Sequence, residues 1–280
     1  MAMDEKGLGQ RLQAARQAAG LTQQQLCQQA NLSFSTLTKI ERGAIKAPSI
    51  FTVQSIAVAL GQSLDELVGA APSSGKQFQK TKSGVSFVYF DVNGCLVHFY
   101  QRAFAELAKA TGASPDMVES AFWHYNDEVC RGEISIEEFN RHLAERLGVE
   151  SVDWLQDYLE TVEPIAEMQE VLRWAAERYQ IGLLTNIMPG QLAAMRQSGA
   201  LPDLAYDAVV DSSVVHAIKP EPHIYEVAQQ YTGVAASEIL LVDDSRVNLM
   251  AAEKLGWHVL WFDDSRIEES VQRVREALSA

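Results

Sequence analysis

The sequence is short of cysteine, short of basic residues for its acid content, and without any long apolar run. Cys27, Cys95 and Cys130 are odd in number and far apart. That spacing suits neither a disulfide framework nor a zinc knuckle, and makes a reducing cytoplasm the expected compartment. No stretch approaches the roughly 18 uninterrupted apolar residues of a membrane helix. The polar, acidic start Met1-Ala2-Met3-Asp4-Glu5 carries no signal-peptide pattern. No internal repeat or extended low-complexity tract is present. Taken whole, a net charge of -14 argues against nucleic acid, but the shortage of base is uneven. Residues 1–70 hold six Lys/Arg and five Asp/Glu, whereas residues 71–280 hold seventeen and thirty-two. An acidic body is repelled by DNA phosphates, so only the first segment is electrostatically acceptable there.

What is present fits two domains. A chain of 280 residues, 47% of them hydrophobic, can bury sizeable cores, and two domains follow from a prior of roughly 150 residues each. The expected division is 1–70, a linker over 71–83 of turn-forming composition, and 84–280.

Residues 8–68 read as short helices. Leu8, Leu12 and Ala15 form one apolar stripe. Thr22 is placed to cap a helix over 23–30, and Asn31-Leu32-Ser33 is a turn. Ser33 or Ser35 can cap a second helix ending at Gly43. Pro48-Ser49 opens a third, through Leu60, and Ser63-Leu64-Asp65-Glu66 is a capping box before a last turn. The spacing of Leu26, Ala30, Leu37 and Ile40 locks the two helices that flank the turn. Ser33, Phe34, Ser35, Thr38 and Lys39 are left on the outer face of the second, where short side chains reach base edges in a major groove. Gln23 at a helix start, Arg42 and Lys46 suit phosphates. The segments Gly20-Leu21-Thr22-Gln23-Gln24-Gln25-Leu26 and Ser33 to Gly43, with its Lys39-Ile40-Glu41-Arg42-Gly43 ending, resemble the Cro/repressor (XRE) type of helix-turn-helix. The resemblance implies double-stranded DNA as partner, with a pseudo-palindromic operator bound by a homodimer. Phe34 departs from the polar residue expected at its site, and suits either a thymine methyl or a protein partner.

After Gly84 the pattern becomes one of short apolar runs, over 85–90, 181–184, 208–210, 239–242 and 259–262, separated by amphipathic helices. This alternation predicts a doubly wound α/β fold with a parallel sheet. Helical patterns alone fill about 99–161, at 102–110, 117–128, 136–147 and 153–159, as an insert after the first strand. Polar residues stand where strands end: Asp91-Val92-Asn93-Gly94, Thr185-Asn186, and Asp243-Asp244-Ser245. Lys219-Pro220-Glu221-Pro222 sets a cation on a stiff loop. Carboxylates, a lysine and a hydroxyl converging there can hold Mg²⁺ and a phosphate. The six histidines show no ligand spacing.

In order and spacing these four motifs resemble the haloacid dehalogenase-like superfamily, with the insert as its helical cap and Arg131-Gly132-Glu133-Ile134 as a cap segment. The resemblance implies Asp91 as the nucleophile of an aspartyl intermediate. Thr185, Asn186 and Lys219 would hold the phosphoryl group. Mg²⁺ would lie on Asp91, Asp243, Asp244 and the carbonyl of Asn93. One position departs: phosphatases of this family carry an acid–base Asp where this chain has Asn93. An amide cannot shuttle a proton, and that help is typically worth about 10²–10⁴-fold. The expectation is a DNA-binding regulator whose α/β domain is a catalytically impaired sensor of Mg²⁺ or a phosphorylated small molecule, or a dimerisation module. The alternative is an active phosphatase with an accessory DNA-binding domain.

Overall fold

The computed structural model describes residues 8–19, 21–30, 32–45, 48–60 and 78–279. The chain divides into two compact units, Met1–Lys76 and Gln77–Ala280. Asn31, Lys46, the capping box at Ser63–Glu66 and most of the expected linker lie outside the described residues.

The first unit contains α1 (Leu8–Ala18), α2 (Gln23–Gln29), α3 (Phe34–Glu41) and α4 (Ile50–Leu60). Thr22 and Gln25 close a capping box at the start of α2. Of the two serines able to cap α3, Ser33 does so, accepting from the Thr36 amide. Both caps satisfy donors that a helix start leaves orphaned. Leu12, Leu26, Ala30, Leu37, Ile40, Val53 and Ile56 form the core, including all four residues whose spacing predicted the lock between α2 and α3. A buried ion pair crosses this small core. Arg16 grips Glu41 through Nε at 2.7 Å and a terminal nitrogen at 3.1 Å. Burial opposes the Arg16 charge, but the hydrogen bonds to Glu41 outweigh it and raise the guanidinium pKa. Gly9 lies where α1 meets the end of α3, and a Cβ there would come within 2.3 Å of the Ile40 carbonyl oxygen.

The second unit is built on a parallel sheet in the order β3-β2-β1-β4-β5: β1 (Phe87–Phe90), β2 (Gln180–Thr185), β3 (Ala208–Asp211), β4 (Ile239–Asp243) and β5 (His258–Trp261). All five fall on the predicted apolar runs. Alternation along β1 sends Val88 and Phe90 to one face and Phe87 and Tyr89 to the other, where they join two separate cores. The helical insert comprises α5 (Gln101–Thr111), α6 (Pro115–Cys130), α7 (Ile136–Leu147) and α8 (Trp154–Thr161). It packs on an aromatic cluster of Tyr100, Phe104, Phe122, Phe139, Trp154 and Tyr158. Helices α9 (Ala166–Ala176), α10 (Gln191–Ser198), α11 (Ser212–Val215), α12 (Pro222–Thr232), α13 (Arg246–Lys254) and α14 (Ile267–Ser279) complete the doubly wound layers.

Residues 79–83 are tied to this second unit. The Gln79 amide donates to the Arg178 carbonyl, Thr81 Oγ1 accepts from the Val85 amide at 3.0 Å, and Lys80 pairs with Glu238. The insert is fastened at the far end of α6. Arg131 pairs with Glu221 at 2.7 Å, Ser212 Oγ donates to the Cys130 carbonyl at 2.6 Å, and His216 Nδ1 lies 2.9 Å from the Arg131 carbonyl. Among the described residues, no helix is long and apolar enough to cross a membrane.

Candidate functional site

In the α/β unit the polar strand ends meet at one edge of the sheet. β1 delivers Asp91, β2 Thr185, and β4 Asp243 and Asp244; parallel strands bring such residues to the same end by topology alone. Single oxygens of Asp91, Asp243 and Asp244 all lie within 4.8 Å of one another. Lys219, 3% exposed, reaches in from its loop to Asp243 Oδ2 at 2.6 Å and Asp91 Oδ1 at 2.9 Å. Burial opposes the ammonium charge, but the two carboxylates outweigh it and raise its pKa. Asn186 holds the loop in place, accepting from the Lys219 amide at 2.7 Å and donating to its carbonyl at 2.9 Å.

The adjacent acids play different parts. Both oxygens of Asp243 are occupied, by Lys219, the Ser245 amide and the Asn248 side chain. Asp244 forms no ion pair with a described residue. Burial, then Asp91 and Asp243, push its carboxyl up to about 8. Burial also pushes Asp91 up to about 6, against the pull of Lys219. Gly94, at φ 85°, passes so close that a Cβ would meet Asp244 Oδ2 at 2.3 Å. Trp261 Nε1 donates to the Asp244 carbonyl at 2.8 Å, and the Arg246 guanidinium lies 3.9 Å over the Trp261 ring.

An all-oxygen cluster that resists carrying three negative charges fits a hard divalent cation, which would stabilise the ionised forms. A second observation agrees. Thr185 Oγ1 is fully buried with no hydrogen-bond partner, an orphan that a native site normally reserves for something.

Asn93 is enclosed as well. Its Nδ2 donates to Tyr100 Oη at 2.9 Å, and its Oδ1 accepts from Tyr158 Oη at 2.8 Å. Both tyrosines belong to the insert, one before α5 and one on α8. No motif in the sequence pointed to them, nor to Trp123 and Asn126, which with Asp91, Asn93, Tyr100 and Lys219 line one pocket. Asn248 was legible in principle, since it falls on the first turns of the helix after Asp243-Asp244.

In the helical unit, Ser33, Phe34, Ser35, Lys39 and Arg42 are exposed, and Phe34 is 51% exposed. Ser33 Oγ is engaged in the cap and with Thr36 Oγ1 at 2.8 Å. Gln23 turns its amide inward, donating to Glu41 at 2.7 Å. Thr38, expected on the outer face, is half-buried with an enclosed hydroxyl, because it flanks the Leu37 and Glu41 stripe.

Comparison with known proteins follows this division. The haloacid dehalogenase-like hydrolase family model matches residues 86–256, and a helix-turn-helix family model matches residues 12–67. A phosphatase of Mycobacterium tuberculosis is 28% identical over 172 residues, which cover 57% of this chain and 79% of that protein. An (S)-2-haloacid dehalogenase of a Pseudomonas species is 27% identical over 124 residues, covering 44% and 53%. The immunity repressor of Bacillus phage phi105 is 45% identical over 62 residues, covering 22% and 42%. The chain therefore spans about half the length of the last two. Among solved structures, a HAD-like family hydrolase of Porphyromonas gingivalis aligns with a TM-score of 0.57 at 24% identity, covering 69% of this chain and 98% of that one. A magnesium complex of a HAD family enzyme from Bacteroides thetaiotaomicron aligns at 0.56 and 19% identity, covering 65% and 94%. These last likenesses show the fold.

Proposed function

The chain belongs to the haloacid dehalogenase-like hydrolase family and carries an XRE-type helix-turn-helix ahead of that domain, and on that footing we propose that it is a transcriptional regulator whose α/β domain binds Mg²⁺ and a phosphorylated small molecule with little or no turnover. The observation that supports this most is the state of Asn93. Its neighbours keep the means of binding: three clustered carboxylates, a buried lysine and an orphaned threonine hydroxyl. Asn93 itself holds no titratable proton, and both ends of its amide are taken by tyrosines.

Asp91, Asp243, Asp244 and the main-chain carbonyl of Asn93 would hold the cation, which would supply charge neutralisation for a phosphoryl group. Lys219 keeps Asp91 oriented and balances the negative charge of the cluster. Asp91 would be the group that attacks phosphorus. A departing alkoxide then needs a proton that Asn93 cannot give, and an aspartyl-phosphate needs a base for water that Asn93 cannot be. Ester substrates therefore bind and stall. The helix-turn-helix reads double-stranded DNA as one of a pair of heads in a homodimer, each on one half of a pseudo-palindromic operator. The buried, unpaired thiols of Cys27, Cys95 and Cys130 suit the cytoplasm.

The test is linkage. An operator is selected from genomic DNA with the full chain, and its affinity is measured by anisotropy with and without Mg²⁺ and inorganic phosphate. A sensor should shift that affinity by about 5–150-fold, the usual span of allosteric coupling. No shift, together with ester hydrolysis near the ~10 s⁻¹ typical of enzymes, leaves an active phosphatase with an accessory DNA-binding domain.

A further inference from the structure

We infer that the pocket over Asp91 takes a small organic monophosphate whose distal part is flat or apolar and carries no second negative charge. The inference rests on the Mg²⁺ and phosphate reading above, and adds what the helical insert requires of the ligand.

The pocket holds about 200 Å³, below the ~300–1,000 Å³ of drug-sized sites. One end is formed by Asp91, Lys219 and Asp244. Lys219 is the only cation among the lining residues, and Asp243 and Asp91 already hold it at 2.6 and 2.9 Å. A bound divalent cation would offset the surplus negative charge and accommodate one phosphoryl group. Nothing else there can neutralise a second anion, and an unpaired charge taken from water is costly.

The insert contributes Phe99, Tyr100, Trp123 and Asn126 to the lining, and no charged group. The Phe99 and Trp123 rings are stacked, with centroids 5.9 Å apart and planes 13° from parallel. The Trp123 indole N–H donates to Glu119 at 3.3 Å, which fixes the ring, yet the residue is 42% exposed. A large aromatic held at its edge, stacked on a neighbour and still open at a pocket is a platform for a flat or CH-rich face. Asn126, 9% exposed, accepts from Cys130 Sγ at 3.6 Å through Oδ1, while its Nδ2 makes a long 3.4 Å bond to Asp127. It retains donor capacity for a neutral ligand oxygen.

The experiment is calorimetric titration of the full chain in Mg²⁺ with inorganic phosphate, methylphosphonate, phenylphosphonate and phosphonoacetate. The phosphonates carry P–C bonds that a hydrolase cannot turn over. Phenylphosphonate should bind about tenfold tighter than methylphosphonate, the scale expected of aromatic stacking with its buried area. Phosphonoacetate, with its extra carboxylate, should bind weakest. In Trp123→Ala the phenyl advantage should vanish, with inorganic phosphate binding unchanged. Phosphonoacetate binding tightest, or a phenyl advantage that survives Trp123→Ala, would overturn the inference while leaving the metal and phosphate reading intact. Failure of inorganic phosphate itself to bind in Mg²⁺ would sink both.

Discussion

The two units hold their candidate contact groups in opposite ways. On the helical unit, Phe34, Ser35, Lys39 and Arg42 stand in solvent, and neither cation pairs with a described residue. In the α/β unit, Asp91, Asp243 and Lys219 are buried and hold one another. The difference follows from what each would meet. A DNA surface comes to the protein with its own charge and water, so the contacts need only be displayed. A phosphate in a pocket must be met by groups fixed beforehand, which requires burying like charges and stabilising them against one another. The helical unit also has a buried ion pair, Arg16–Glu41, but there the pair holds the scaffold and leaves the display alone.

That contrast can be broken at several points. The largest effect should come from Glu41→Ala, which strands Arg16 in a small core. Removing one partner of a buried pair costs about 3–5 kcal/mol, comparable to the whole stability of a domain this size. Calorimetry should show the helical unit's transition lost and that of the α/β unit kept. Were both to disappear together, the units would not be independent in the way the contrast assumes.

Asn93→Asp should raise hydrolysis of an aryl phosphate by about 10²-fold, the lower end of acid–base help. Tyr100 and Tyr158 would both donate to the new carboxylate, favouring its charged form and weakening it as an acid. Adding Tyr158→Phe should therefore raise turnover further on esters with poor leaving groups. Steady-state rates of wild type and both variants decide this. A wild type as fast as Asn93→Asp would mean that Asn93 is no impairment.

Mg²⁺ should raise the melting temperature of the α/β unit, by the equivalent of about 2.7 kcal/mol at a hundred times its dissociation constant. Asp244→Asn removes a carboxyl that burial, then Asp91 and Asp243, push up to about 8 and whose ionisation the metal-free fold resists. It should raise the metal-free melting temperature and abolish the Mg²⁺ response. A retained response would place the ion elsewhere.

The smallest change in stability should come from the display itself. Lys39→Ala and Arg42→Ala lie on the exposed surface and should alter stability by no more than about 0.5 kcal/mol. Each should nonetheless lower the salt slope of DNA binding by about one unit. An unchanged slope would remove these residues from the phosphate contacts.

Much of this was legible from local pattern. Helix caps are short-range: Thr22 and Ser33 act on amides three residues away, so their spacing is enough. Apolar runs of strand length located all five strands; β1 and β4 are buried at every residue, which leaves little choice of residue there. The motifs at Asp91, Thr185, Lys219 and Asp243-Asp244 could be read because parallel strands end at one edge whatever the loops do. The inward turns of Gln23 and Thr38 were not legible, since each depends on the neighbouring Glu41 and Leu37 stripe rather than on helical period alone.

By itself, then, the sequence determined the two-unit order, the α/β class, the helical insert and the kinds of residue at each strand end, all of which follow from periodicity and composition. Only the tertiary structure decided how those residues divide their work. It closed Tyr100 and Tyr158 on Asn93 across 7 and 65 residues of chain. It made Asp243 the anchor of Lys219 and left Asp244 without an ion pair among the described residues, and it brought the Phe99–Trp123 stack to the same pocket. Contacts of that span depend on how helices and strands pack in three dimensions, and burial then sets the charge each group can carry, which no local spacing records.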